Sequence, residues 1–302
     1  MKGVTITYGK AAVPVYRAYG TPLRGLTPVP ESSFTGRDNT LTAVEVDVEV
    51  FGEHFLPAYT EGDNRAVVAT DSMKNYILQH GLQYDGSTLE GFLAELGHGF
   101  LDTYGDMAAL RLTGRELRFD QLQGVLYRRS HDDHGVGELR VDRAADGAPV
   151  VTALCSGRVA LELLKVTGSS FTRFVRDEYT TLPERVDRPL FIRLDVHWRY
   201  GEIADAVSQD TSRYVASEQV RDVVAAVFSE LVSESIQHLV WAMSERLLER
   251  FPQLGEVSFA AQNRTREPVA ERADDDRVRV SSDPFAAFGT ITLTRERSWP
   301  GA

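Results

Sequence analysis

One order of hydrophobic periods occurs twice in this chain, and that recurrence limits its fold more than any other feature. From Val44 to Val50 the valines alternate with Glu45, Asp47 and Glu49, the period of a strand with one buried face. The opening MKGVTITYGK alternates in the same way. A helix is predicted to start near Thr70 and Asp71, whose side chains can cap it, and to stop at Gly81. A second begins at Ser87, where Ser87 and Glu90 have capping-box spacing, and Leu89, Phe92, Leu93, Leu96 and Phe100 form its apolar stripe. Strands return through Ala109 to Leu112. The second half follows the same order. Strands at Val159 to Val166 and Leu190 to Trp198 precede a helical stretch carrying Val223, Val227, Leu231, Ile236, Leu239, Met243 and Leu247. Strands at Val257 to Ala260 and Thr290 to Thr294 close it. The expectation is an α+β chain of two ββααββ domains, 1–147 and 148–302, with antiparallel sheets and helices on one face. They meet near Asp146-Gly147, itself a hairpin-turn dipeptide. The repeat is one of order; no strong residue-by-residue match links the halves.

Of the 302 residues 42% are apolar, enough for a full core without staples. The net charge of -11 opposes binding to nucleic acid or to an anionic membrane, although a local cluster of cations can still draw in a small anion. The single cysteine, Cys155, excludes a disulfide framework within the chain and a multi-cysteine metal site. With no secretory signal, no apolar span and no Ser-Lys-Leu ending, the expected location is the cytoplasm. Gly20 to Gly36 and Glu267 to Asp276 lack periodicity and read as surface loops. His131-Asp132-Asp133-His134 is the one run that invites a metal, but Gly135-Val136-Gly137 after it points to a loop without further ligands. No metal site is expected.

The run Phe171-Thr-Arg-Phe-Val-Arg-Asp-Glu-Tyr-Thr-Thr-Leu-Pro-Glu-Arg-Val-Asp-Arg188 resembles the signature of the urate oxidases (uricases). The resemblance continues in order through Tyr8-Gly9-Lys10, the stretch from Val67 to Asn75, Trp198, Ser235-Ile236-Gln237 and Gln262-Asn263. It implies two tandem tunnelling-fold domains, a homotetramer with sites at subunit interfaces, and urate and dioxygen as substrates. It also implies that no cofactor takes part, with 5-hydroxyisourate and hydrogen peroxide as products.

Urate is a flat anion with amide edges, so a site must stack its face and grip its edges in one plane. Phe171 suits the stacking floor. Arg188 offers a planar fork for one edge, and Gln237 a donor and an acceptor for the other, with the Ile236 backbone N–H beside it at a helix start. By resemblance, Lys10 and Thr70 form a proton relay, and Thr70 and Asp71 come from the neighbouring subunit. Asn263 matches the residue that holds dioxygen or the attacking water. One departure stands out: where many family members have a histidine two positions after this asparagine, this chain has Thr265, which cannot act as a base near neutral pH. Lys10 and Thr70 are then expected to suffice, with Thr265 or a water extending the chain of hydrogen bonds. Two alternatives remain. One is another tunnelling-fold purine or pterin enzyme, such as a cyclohydrolase or an aldolase. The other is a catalytically inactive purine-binding oligomer.

Overall fold

The computed structural model describes residues 4–264, 268–275, 277–281 and 287–298. The first half holds β1 (Thr7–Ala18), β2 (Leu41–Phe51), the short α1 (Leu56–Thr60), α2 (Thr70–Gln83), α3 (Leu89–Thr103), β3 (Ala109–Glu116), a hairpin of β4 (Phe119–Gln123) and β5 (Leu126–Arg129), and β6 (His134–Arg143). The second holds β7 (Pro149–Lys165), β8 (Leu190–Tyr200), the short α4 (Ala204–Val207), α5 (Ser217–Glu230), α6 (Ile236–Arg250), β9 (Leu254–Asn263), a hairpin of β10 (Pro268–Glu271) and β11 (Arg279–Ser281), and β12 (Gly289–Glu296). Eight strands make one antiparallel sheet in the order β1-β2-β3-β6-β7-β8-β9-β12. The expected ββααββ order therefore occurs twice, and the two copies share a sheet through the β6–β7 pair. Asp146-Gly147 is the turn of that pair: Gly147 has φ of 87° and donates to the Ala144 carbonyl.

The strand period explains the layers. Val46, Val48 and Val50 on β2, Leu110 and Leu112 on β3, and Ile192, Leu194, Val196 and Trp198 on β8 are buried together with the stripes of α3 and α6. The alternate residues carry cross-strand ion pairs, Arg111 with Glu49 and Arg115 with Glu45 and Asp47. Each central helix is closed by an arginine from the last strand region of its own half. Arg143 donates to the carbonyls of Leu101 in the last turn of α3 and of Tyr104 and Met107 beyond it, and Arg297 to those of Leu248 in the last turn of α6 and of Phe251 and Leu254 beyond it. No helix among the described residues is long and apolar enough to cross a membrane.

The halves match more closely than the sequence suggests. α2 and α5, each of 14 residues, start at 70 and 217; α3 and α6, each of 15, start at 89 and 236; 217 less 70 and 236 less 89 are both 147. Both first strands carry a bulge: the register breaks between Lys10 and Val13 on β1 and between Arg158 and Leu161 on β7. In each bulge an alanine takes positive φ, Ala12 at 56° and Ala160 at 61°. Each alanine N–H donates to an aspartate on the next strand, Asp47 or Asp195, at 2.7 Å. Leu23 bridges Arg37 just as Phe171 bridges Arg185, 148 residues on.

Several expectations are corrected. Gly81 does not stop α2; the helix runs to Gln83, and a Cβ at Gly81 would meet Val15 Cγ1 at 2.8 Å, so the glycine permits close packing on β1. The cap of α3 is Thr88, whose Oγ1 accepts from the Gly91 N–H at 3.2 Å, rather than Ser87. Glu90 leaves the capping role because its carboxylate is buried, accepting from Ser156 Oγ at 2.6 Å and Tyr214 Oη at 2.8 Å. Thr70 and Asp71 lie inside the first turn of α2, after the cap residue Ala69. The 20–36 stretch is no plain surface loop, since Leu23, Leu26 and Val29 are buried. Part of 267–276 is likewise a strand, β10, paired with β11.

Gly9 supports the first strand pair. A Cβ there would fall 1.9 Å from the Val48 carbonyl oxygen, which is backbone and cannot yield. We expect Gly9→Ala to lower stability by about 1–3 kcal/mol and to displace the adjacent Lys10, measurable as a fall in Tm together with a fall in activity.

Candidate active site

The residues of the 171–188 run are assembled by a short backbone zipper. Ser169 pairs in parallel with Ser233, the Ser170 N–H donates to the Ser233 carbonyl at 2.8 Å, and the hydroxyls of Ser169 and Ser233 lie 3.3 Å apart. The Ser169 carbonyl accepts the Arg188 N–H at 2.8 Å. Phe171 and Arg185 exchange backbone hydrogen bonds at 2.8 and 3.0 Å. The zipper thus fixes both ends of the run and sets them beside Ser233, three residues before α6. The Arg188 guanidinium is buried and lies 5.3 Å from the centre of the Phe171 ring. On the same ring, Phe174 stacks at 4.9 Å with an interplanar angle of 11°.

At the start of α6, Ser235 Oγ accepts from the His238 N–H at 3.1 Å. Ile236 and Gln237, in the first turn, carry N–H groups that the helix itself does not use. The Gln237 side chain is exposed. Asn263, the last residue of β9, pairs with Ile192 near the start of β8, four residues after Arg188. Phe171, Arg188, Ile236, Gln237 and Asn263 therefore belong to one end of the second repeat: an aromatic face, a cation and helix N–H donors.

Lys10, Thr70 and Asp71 belong elsewhere. Tyr8 Oη accepts from the Val68 N–H at 3.0 Å, which ties the approach to α2 onto β1. Thr70 and Asp71 begin the helix two residues later, and Lys74 Nζ binds Asp71 Oδ1 at 2.5 Å. The hydrogen bond and charge of Lys74, with a smaller effect from Lys10, hold the Asp71 carboxyl below its usual value. β1 is one edge of the sheet, and five or six strand spacings separate it from β8 and β9, roughly 25–30 Å along the sheet. One chain brings each group together but does not bring one group to the other. Thr265 lies outside the described residues.

The junction inside the chain shows what such a meeting looks like. There the first repeat's Arg37 donates from Nη1 to Glu116 Oε1 and, across to the second repeat, to Glu218 Oε1, both at 3.0 Å. Arg158 Nη1 donates to Ser217 Oγ at 3.2 Å, and its Nε to Asp133 Oδ2 at 2.5 Å. Burial opposes charge on Glu116, but Arg37 and Arg158 outweigh it and hold its carboxyl below the ordinary glutamate value. A cavity of about 380 Å³ opens here, lined in part by Asn39, Tyr84 and Phe119. Asp133 of the His-Asp-Asp-His run is thus an ion-pair partner, and among the described residues no group of three metal-ligating side chains forms. The sequence reading missed this junction. Its only signal was the 147-residue offset between Thr70-Asp71 and Ser217-Glu218, masked by the change of residue types.

The architecture is that of a two-repeat tunnelling-fold enzyme, with a ring and a buried guanidinium side by side at the mouth of its second repeat. The chain belongs to the uricase family. The uricase family model matches residues 154–288. A uricase of Haloferax volcanii is 49% identical, over 97% of this chain and 98% of that protein. A bifunctional uric acid degradation protein of Bacillus subtilis is 44% identical over 97% of this chain, which spans 61% of that longer protein. Among solved structures, the urate oxidase of Bacillus sp. TB-90 superposes with a TM-score of 0.94 at 39% identity, over 97% of this chain and all of that one. The uricase of Bacillus fastidious gives 0.94 at 40%, over 97% and 94%.

Proposed function

We propose that this chain oxidises urate with dioxygen and water to 5-hydroxyisourate and hydrogen peroxide, in cytoplasmic purine degradation, at sites completed between copies of itself. The observation that carries the reading is the Ser169–Ser233 zipper, which sets the Phe171 ring and the Arg188 guanidinium beside the start of α6. Urate stacks on Phe171, its anionic edge faces Arg188, and its opposite amide edge faces Gln237 and the Ile236 N–H. Asn263 holds dioxygen or water over the ring. The units 1–147 and 148–302 act as the two repeats of each protomer, and four protomers make the assembly.

The relay side comes from a neighbouring copy. β1 and β12 are the edges of the sheet, and pairing β12 of one copy with β1 of the next would repeat the β6–β7 junction. Lys10 then arrives together with Thr70 and Asp71, since all three share one end of the first repeat. Bound urate gives up a proton through the Thr70 hydroxyl to Lys10, which takes part as the free amine and becomes the ammonium, and the dianion is reducing enough to pass electrons singly to dioxygen, so the scheme calls for no metal or flavin. Because Lys10 and Thr70 carry the relay, we expect Thr265→Ala to keep the pH–rate profile of the parent.

Subunit mixing tests the shared site. Lys10→Met and Arg188→Lys chains, each nearly inactive alone at urate concentrations near the parent's Michaelis constant, are expected to regain activity there when refolded together, because one interface in each mixed pair is intact. Mixed assemblies as inactive as their parents would rule out a site shared in this way.

A further inference from the structure

The internal junction is a template for the contact between copies, and it assigns a role to Arg185. Arg37 and Arg185 hold matching places, each bridged to the residue 14 positions earlier, Leu23 or Phe171. Across the junction from Arg37 stand Ser217 and Glu218 at the start of α5, with Arg158 before the β7 bulge. Moved by the repeat offset, these become Thr70 and Asp71 at the start of α2, with Lys10 before the β1 bulge. Arg37 reaches across to Glu218 at 3.0 Å.

We propose that Arg185 makes the matching reach between copies, its guanidinium gripping the carboxylate of Asp71 of the partner subunit. The inference rests on the shared-site reading above. Within one chain the Asp71 carboxylate is 72% exposed and held by Lys74 and Asn75 of its own helix, so a face of it is open to a second cation. The counterpart of Lys74 is Arg221, which pairs with Asp222 and leaves Glu218 to Arg37. Asp71 therefore has two separable duties. Its backbone N–H, in the first turn of α2, faces the substrate. Its carboxylate, bound to Arg185, fixes the approach of that turn, and with it the Thr70 hydroxyl, to urate held by Arg188. Arg185 is a positioning residue, three places before the clamp and distinct from it. The charge pair also selects the partner's register, since a like charge on either side would repel.

Charge exchange between chains tests the pair. Arg185→Glu and Asp71→Arg chains, each alone, are expected to lose about tenfold or more in kcat or to fail to assemble. Mixed together they should form active assemblies, because each contact between unlike chains then joins one carboxylate to one guanidinium, in either the native or the exchanged order. A role confined to one chain gives no such rescue. A mixture no better than its components, beside an active wild-type oligomer, overturns the pair and leaves the shared site standing. A wild type that turns over urate as a monomer overturns the shared site itself.

Discussion

Replacing Arg188 by lysine is expected to raise the Michaelis constant for urate about 10- to 100-fold while the assembly survives. The guanidinium is buried and 5.3 Å from the Phe171 ring centre, and its backbone is pinned by the Ser169 carbonyl. A lysine keeps the charge but has no planar fork, so it cannot make two parallel hydrogen bonds to one edge of the purine. Because Arg188 lies off the β6–β7 junction, Tm and oligomer mass should change little. Steady-state kinetics with light scattering check both parts, and a Michaelis constant near that of the parent would remove the clamp from the account.

Removing Asp133 should cost the most stability. Arg158 is 2% exposed and makes two contacts of 2.5 Å with Asp133 Oδ2. Asp133→Ala leaves a buried guanidinium with Glu116 3.9 Å away and Ser217 as its remaining side-chain partners, and is expected to lose about 3–5 kcal/mol. The neighbouring Glu116 adds a pH signature. Its folded pKa is depressed, so the stability it contributes is fully present above the ordinary glutamate value and fades as pH falls through the lowered one. Thermal melts from neutral to acid pH should therefore show the Arg37 and Arg158 network weakening on the acid side. An Asp133→Ala protein as stable as the parent would show that the network contributes nothing.

The order of elements was legible because burial imposes the period: the valines of β2 and the stripe of α3 lie where alternation and helical spacing put them. Local punctuation was less reliable. Ser87 and Thr88 both suit a cap, and the choice fell to Thr88 once Glu90 was drawn inward to Ser156 and Tyr214. Gly81 carries a stop signal in sequence, but in space it is the point where α2 touches Val15. Prolines hid the anchoring role of Leu23 and Leu26 by breaking periodicity, although both side chains are buried.

For the site, the resemblance to the urate oxidase signature named Phe171, Arg188 and Gln237, whose types suit a flat anion, and the serine zipper sets the first two beside the helix start that carries the third. The repeat at the level of the site stayed hidden because equivalent places carry unlike residues. Glu90 stands where the second half has Gln237, Glu116 where it has Asn263, and Arg158 where the first half has Lys10. At the internal junction Glu116 is paired with Arg37 and Arg158 with Asp133, Glu90 is held by the Ser156 and Tyr214 hydroxyls, and the fully buried Leu23 replaces the ring of Phe171. Among the described residues, the end of the second repeat is where a phenylalanine ring stands beside a buried guanidinium, in keeping with the proposal of one urate site per chain.

Urate oxidation by this chain is expected to need no bound redox partner. Purified protein, treated with chelator and dialysed, should bleach the ultraviolet absorbance of urate under air, consuming dioxygen and releasing hydrogen peroxide in equal amounts. Urate that binds but persists under those conditions, or bleaching that returns only when metal is added back, would contradict it.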